Sequence, residues 1–360
     1  MDRNERLRRV RSAMVGVGCD ALVVTKAVNI RWLTGFTGSA GLIVIGPDRL
    51  ALVTDQRYQT QVREQLAAAS VEAEVAITRE PEAPVVAAVA GADSVGLESE
   101  HVTWAEVRRF ERWLDGRALI ATEQLVETER RVKDAGEIDR LRAAAAIADA
   151  ALAEVIGELG TGLTEAEVAT RLDRAMVDGG ADGPSFPTIV AAGPNSAKPH
   201  ARPSDRVIAD GDMVVIDFGA SVDGYGSDMT RSFLIGAADA RQREIYEAVA
   251  DAQAAGVAAV ADGVAEREID RACRDRLADH GLAEAFIHGT GHGIGLEIHE
   301  NPILSTRATG ILRTGYVVTV EPGAYLPDLG GIRVEDSVVV TDSGCETLTH
   351  SPKDPNVACR

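Results

Sequence analysis

Val215-Ile216-Asp217-Phe218-Gly219 and Gly226-Ser227-Asp228-Met229-Thr230-Arg231 flank the turn-rich Val222-Asp223-Gly224, and this stretch decides the reading of the chain. Two apolar runs around an Asp-Gly turn spell a β-hairpin. The midpoint between positions 217 and 228 falls at the turn, so the hairpin sets both aspartates nearly opposite each other on one face. Like charges so placed repel unless something positive lies between them. Val320-Glu321-Pro322-Gly323 and Arg333-Val334-Glu335-Asp336 repeat the pattern around Leu326-Pro327-Asp328-Leu329-Gly330-Gly331. One acid at a strand end is ordinary surface. Two such pairs at matching places predict a cation site.

Outward from these hairpins the chain repeats an order. Ile138, Leu141, Ala145, Ala148, Leu152 and Val155 mark a long helix, and Thr164 with Glu167 opens a second as a capping box. Strands are expected at 188–191, 213–219 and 225–234. A long helix then begins near Arg241, and a shorter one runs from Glu266 to His280, closed by Gly281. Strands are expected again near Ile287 and at 317–321 and 332–340. Two helices and then a hairpin, twice, predict pseudo-twofold halves. The first 125 or so residues read as a separate α/β domain. A helix over 4–17 carries Leu7, Val10, Met14 and Val17, and apolar runs at 21–24, 42–45 and 50–53 are punctuated by glycines. The charged stretch Glu127–Asp134 reads as a linker, dividing the chain into domains 1–127 and 128–360.

Three of seven histidines fall within Phe286-Ile287-His288-Gly289-Thr290-Gly291-His292-Gly293-Ile294-Gly295-Leu296-Glu297-Ile298-His299-Glu300. Alternate glycines make a helix improbable and admit a close neighbour. On an extended segment His288 and His292 project to one side. His299-Glu300 does not open a zinc helix, because Pro302 and Ile303 follow. Four carboxylates and an imidazole favour Mn²⁺, Co²⁺ or Fe²⁺, with Zn²⁺ less suited. Four acids exceed the need of one ion, so two bridged ions sharing an acidified water satisfy the count. Amide hydrolysis is the natural reaction class. No GxSxG elbow, SxxK, GxxxxGK loop or strand-borne GxGxxG offers another.

The 360 residues carry 56 acids against 37 bases, a net charge of −19, which argues against nucleic-acid and anionic-membrane partners. No apolar run approaches a membrane span, and no apolar signal core opens the chain. Cys19, Cys273, Cys345 and Cys359 lack CxxC spacing, as expected of reduced thiols in a cytoplasmic protein.

With these residues in place, the sequence resembles the pita-bread metallopeptidases: methionine aminopeptidase, aminopeptidase P, prolidase and the metal-free relative creatinase. The first domain resembles the creatinase-type N-terminal domain through Asn29-Ile30-Arg31-Trp32-Leu33-Thr34-Gly35-Phe36-Thr37-Gly38-Ser39 and Thr54-Asp55-Gln56-Arg57-Tyr58. That domain is absent from methionine aminopeptidases, so the resemblance favours the Xaa-Pro branch. It implies an α/β N-terminal domain ahead of a pseudo-twofold α+β catalytic domain holding two divalent ions, Mn²⁺ first. Asp217, Asp228, His292, Glu321 and Glu335 are the implied ligands, with Asp228 and Glu335 bridging and Glu321 also the general base. His200 resembles the histidine near the scissile bond, and His299 the one that stabilises the tetrahedral intermediate. His288 and Arg333 resemble further pocket residues. The resemblance also implies a homodimer and a proline-containing peptide substrate. A non-catalytic ligand-binding relative is the other class, and the intact ligand set argues for the enzyme.

Some prolidases resembling this chain carry an arginine in a His-Glu-x-Pro-Arg pattern, suited to a dipeptide's free carboxylate. Here the stretch is His299-Glu300-Asn301-Pro302-Ile303. The expectation is therefore an Xaa-Pro aminopeptidase acting on longer peptides, with prolidase as the alternative.

Overall fold

Short β-branched runs in the first third of the chain assemble into one six-stranded mixed sheet. The computed structural model describes residues 2–160 and 162–357, so Cys359 lies outside the described residues. The chain divides into two units, one ending at Arg130 and the other beginning at Arg131. In the first, β1 (Ala21–Val24), β2 (Leu42–Ile45), β3 (Leu50–Thr54), β4 (Glu74–Ile77), β5 (Ser94–Glu98) and β6 (Ala118–Thr122) lie in the order β4-β3-β2-β1-β5-β6. Its helices are α1 (Arg3–Gly16), α2 (Ala27–Thr34), α3 (Gln59–Ala68), α4 (Glu82–Ala88), α5 (Trp104–Trp113) and α6 (Leu125–Arg130). The pairs β3–β4 and β5–β6 are parallel, and α3 and α5 make those crossovers. Leu7, Val10 and Met14 are buried along α1 as their spacing predicts. Val17 lies past the helix end and is exposed. The charged stretch at 127–134 is partly helical, because α6 continues through Glu127–Arg130.

The second unit has the two predicted halves. In the first half, α7 (Ala135–Val155) and α8 (Glu165–Asp178) precede β7 (Gly183–Pro184), β8 (Ile189–Ala192), β9 (Met213–Phe218), β10 (Ala220–Val222), β11 (Tyr225–Gly226) and β12 (Met229–Ile235). In the second, α9 (Ala240–Ala259) and α10 (Glu266–Asp279) precede β13 (Gly291–Gly293), β14 (Glu300–Leu304), β15 (Val317–Val320), β16 (Gly323–Leu326), β17 (Gly330–Arg333), β18 (Asp336–Thr341) and β19 (Gly344–Thr347). A closing β20 (Asn356–Val357) joins the first half's sheet, ordered β20-β12-β9-β8; the second sheet runs β14-β13-β15-β18-β19. Capping boxes at Asp134, Thr164 and Asp239 start α7, α8 and α9.

Strand parity turns the acids toward one place. Val214, Ile216 and Phe218 of β9 pack with Leu152, Val168 and Leu172 of the first helix pair. Alternation therefore sends Asp217 to the opposite face. Val318 and Val320 of β15 and Val338 and Val340 of β18 pack with Ile245, Val249 and Ile269 of the second pair. Glu321 and Glu335 leave on the other face by the same rule. Burial of these helix-facing rows drives both halves together, each fully buried Val, Leu or Ile contributing about 1.5–3 kcal/mol.

Three expectations are corrected. The segment around Ile287 is no strand: a single 3₁₀ turn ends at Ala285, and Ile287 is exposed. The strand expected over 225–234 breaks at Ser227-Asp228, and that over 332–340 breaks at Val334-Glu335. Each break falls at a carboxylate, Asp228 in one half and Glu335 in the other.

Candidate metal centre and cleft

Asp217 sits near the end of β9, where the ladder pairs it with Thr230. Asp228 immediately precedes β12. The register is two residues off the symmetric expectation, and an even offset keeps both aspartates on one face. The chains come very close here, since a Cβ at position 219 would lie 1.8 Å from the Ser227 carbonyl oxygen. In the other half, Val320 pairs with Asp336 and Gly323 with Arg333. The same register across the intervening gap sets Glu321 opposite Glu335. Carboxylate oxygens of Asp217, Asp228 and Glu335 lie within 4.8 Å of one another, and all three residues are buried.

His292 and Glu321 adjoin this group. His292 Nε2 is 3.6 Å from Asp228 Oδ2 and 3.4 Å from Glu321 Oε1. Its Nδ1 is 3.1 Å from the Gly293 carbonyl oxygen, which can only accept, so the proton is on Nδ1 and Nε2 offers a lone pair. Burial lowers the pKa of His292 and keeps the ring neutral. Lone pairs on an imidazole and two carboxylates thus face each other across gaps that a cation fills at ordinary bond lengths of about 2.0–2.2 Å. Asp217 Oδ1 and Glu335 Oε1 are buried without a hydrogen-bond partner among the described residues. Orphaned acceptors of this kind are costly unless something occupies the space between them. The donor set fits divalent cations.

The protonation equilibria express the same crowding. Burial raises Asp228 and Glu335 well above the usual carboxylate range, and the neighbouring carboxylates add to it. Burial pushes Glu321 up to about 7, against the opposing pull of Arg333. Arg333 is itself buried, which works against its charge, but Tyr325 and the surrounding acids hold it firmly protonated.

Arg333 organises the wall. Its Nε donates to Thr230 Oγ1 (2.9 Å), its Nη1 to Tyr325 Oη (3.0 Å) and the Pro199 carbonyl (3.2 Å), and its Nη2 to Asp217 Oδ2. Thr230 donates onward to Glu335 Oε2 at 2.6 Å. Tyr325 Oη lies 2.9 Å from His288 Nε2, and His288 Nδ1 donates to the Gly289 carbonyl at 2.8 Å. Burial lowers His288 to about 4, so it too stays neutral. The His299 ring stands 4.3 Å from that of His292, and burial lowers its pKa as well. Behind His299, Lys133 Nζ donates to Glu300 Oε1 at 2.5 Å, both side chains being buried.

All nine residues singled out in the sequence line one cleft of about 670 Å³: Asp217, Asp228, His292, Glu321 and Glu335 with His200, His288, His299 and Arg333. Phe186, Pro187, Ile298 and Ile303 give it apolar walls. Sequence reasoning missed Thr230, Thr319 and Tyr325. Thr230 and Thr319 each lie two residues from a predicted ligand, a spacing that on a strand signals a shared face. Thr319 receives the His292 backbone N–H (3.0 Å) and donates to Glu321 Oε1 (3.2 Å). Tyr325 carries no such signal, since it reaches the site across a turn.

A buried cluster of carboxylates with orphaned oxygens, beside a neutral imidazole at the floor of an apolar cleft, suits a metal-dependent hydrolase. The chain belongs to metallopeptidase family M24, which it matches over residues 139–342, preceded by a Creatinase/Prolidase N-terminal domain over 6–132. It is 38% identical to a solved Xaa-Pro dipeptidase from Bacillus anthracis, with a TM-score of 0.95 over 99% of both chains. An X-Pro aminopeptidase structure from Thermotoga maritima is 34% identical, with a TM-score of 0.88 over 96% of this chain and 99% of that one. The Xaa-Pro dipeptidase of Pyrococcus furiosus is 33% identical over 97% of this chain and 99% of its own. The second unit is accordingly a pita-bread metallopeptidase domain. Among the described residues, no helix is long and apolar enough to cross a membrane.

Proposed function

We propose that this peptidase hydrolyses the bond between an N-terminal residue and a following proline, as an Xaa-Pro aminopeptidase, with Xaa-Pro dipeptidase as the second reading. The observation that carries it is the pair of orphaned acceptor oxygens on Asp217 and Glu335, beside Asp228, His292 and Glu321, at the floor of an apolar cleft. The names of similar proteins supply the proline specificity, and they divide between the two readings. The same resemblance extends the reading to a cytoplasmic homodimer, and sedimentation at working concentration tests the dimer.

Asp217, Asp228, His292, Glu321 and Glu335 would hold two divalent ions, and this oxygen-rich set suits Mn²⁺ ahead of Co²⁺, Fe²⁺ or Zn²⁺. Such ions supply an acidified water and polarise the scissile carbonyl. Glu321 takes the attacking water's proton and delivers it to the departing proline nitrogen, so the C–N bond breaks with the nitrogen leaving neutral. His299 and His200 face the developing oxyanion from the cleft. The chain Arg333–Tyr325–His288 fixes part of the cleft wall, and the apolar residues take the proline ring and exclude water.

The test is kcat/KM for Xaa-Pro against Xaa-Ala substrates in Mn²⁺-loaded enzyme. A strong preference for proline is expected, and equal cleavage would overturn the specificity.

A further inference from the structure

Hydrolysis accounts for the floor of the cleft but leaves one charged group on its rim without a role. Position 303, where a carboxylate-binding arginine is expected in a dipeptidase, holds Ile303, which lines the cleft with 45% of its surface exposed. Arg333 cannot substitute. It is buried, and four of its five N–H groups are committed to Thr230, Tyr325, Pro199 and Asp217.

Arg202 differs on every count. It follows His200 in Pro199-His200-Ala201-Arg202-Pro203, lines the same cleft and is exposed. Its guanidinium makes no hydrogen bond, ion pair or ring contact with any described residue, so all five donors are free. The neighbouring cations are already engaged: Lys198 Nζ donates to Asn195 Oδ1 at 2.9 Å, and Arg206 Nη2 to Asp212 Oδ1 at 2.6 Å. Pro203 immediately after it, with buried Ala201 before it, restrains the backbone that carries the side chain. The site thus presents a free planar fork, matched to a carboxylate, beside His200. Polarity of the substrate supplies the rest. The scissile bond is the first peptide bond and lies over the buried acids, so the remaining chain runs outward to the exposed rim.

We propose that Arg202 recognises the free α-carboxylate of short Xaa-Pro substrates and so determines their length. This rests on the Xaa-Pro reading above. The carboxylate has two possible sources, the proline of a dipeptide or the third residue of a tripeptide.

The experiment compares Xaa-Pro and Xaa-Pro-Yaa, each as free acid and as C-terminal amide, in Mn²⁺-loaded wild type, R202Q and R202K. In wild type the acid is favoured by roughly tenfold in kcat/KM at the length whose carboxylate reaches Arg202. R202Q removes that preference through KM, leaves the amides unchanged, and R202K keeps part of it. The pair is solvent-exposed, so the wild-type preference also shrinks with added salt. Preference at two residues assigns the proline carboxylate, and preference at three assigns the third residue. Equal use of acid and amide by wild type at both lengths overturns the proposal, as does an undiminished preference in R202Q. If wild type cleaves none of the four substrates, the Xaa-Pro reading itself falls, and this proposal with it.

Discussion

Glu98 and Glu321 look alike in the sequence and differ completely in the folded chain. Each ends an apolar strand, Ser94-Val95-Gly96-Leu97-Glu98 in the first unit and Val317-Val318-Thr319-Val320-Glu321 in the second. Glu98 is 7% exposed and fully answered. It accepts from the backbone N–H of Thr25 (2.7 Å) and Lys26 (2.9 Å), from Thr25 Oγ1 (3.2 Å) and from Asn29 Nδ2 (2.7 Å). Its carboxylate thereby satisfies N–H groups at the start of α2, where negative charge is favoured. Glu321 receives one hydroxyl, from Thr319; Arg333 Nε stands 3.9 Å from its Oε2 without a hydrogen bond, and its other neighbours are acids and two imidazoles. A buried acid surrounded by donors is structural. A buried acid surrounded by acceptors waits for a cation.

The largest effect follows from replacing the acid that lacks donors. Glu321→Gln keeps the shape and removes the proton acceptor, so kcat falls by about 10²–10⁴ with KM little changed, as for loss of a general base. Circular dichroism and metal content report whether the fold and the ions remain. A variant within tenfold of wild type would show that Glu321 is not the base, leaving the two glutamates less different than proposed.

A second effect sharpens the contrast through pH. In metal-free protein Glu321 titrates near 7 instead of its ordinary 4.5, and Asp228 and Glu335 are also raised. The native state then binds more protons than the unfolded chain across that window, so stability falls as pH rises from about 4.5 to about 7. For Glu321 alone the loss is about 3–4 kcal/mol at most. Thermal unfolding of chelated protein should show a lower midpoint at pH 8 than at pH 5, with Mn²⁺ restoring it at pH 8. Glu321→Gln should flatten part of this slope. A midpoint independent of both pH and metal would mean that the acids do not repel one another.

The order of elements was legible because apolar periodicity carries it. The helix pairs and their hairpins follow directly from rows such as Leu141, Ala145, Ala148 and Leu152. The pairing of acids was legible because parity survives a two-residue slip of register: Asp217 meets Thr230, yet still shares a face with Asp228. The 286–300 stretch was less so. A Cβ at position 291 would lie 2.0 Å from the Thr319 carbonyl oxygen, so glycine there records a contact between segments distant in sequence. Tyr325 and Arg202 were missed for a related reason. Their significance lies in which donors are committed and which are free, and that exists only in three dimensions.

The smallest effect tests the answered acid. Glu98→Ala removes an acceptor from three residues at the start of α2. Thr25 and Lys26 are half-exposed, and water can take over their N–H groups. Asn29 is fully buried; its amide also donates to Glu127 Oε1 (2.8 Å), and its oxygen accepts from Arg130 Nη1 (2.8 Å). One amide hydrogen is therefore stranded without solvent, at a cost of about 1–3 kcal/mol in the stability of the first unit. Denaturant unfolding should show the lowered midpoint, while metal content and kcat at 25 °C stay at wild-type values. The signs then separate the two acids. Loss of the donor-rich carboxylate weakens the fold and spares chemistry, whereas loss of the donor-poor one abolishes chemistry and, without metal at neutral pH, relieves repulsion. Should Glu98→Ala instead lose metal or turnover with its stability intact, the count of donors around a buried acid would not distinguish structure from function in this chain.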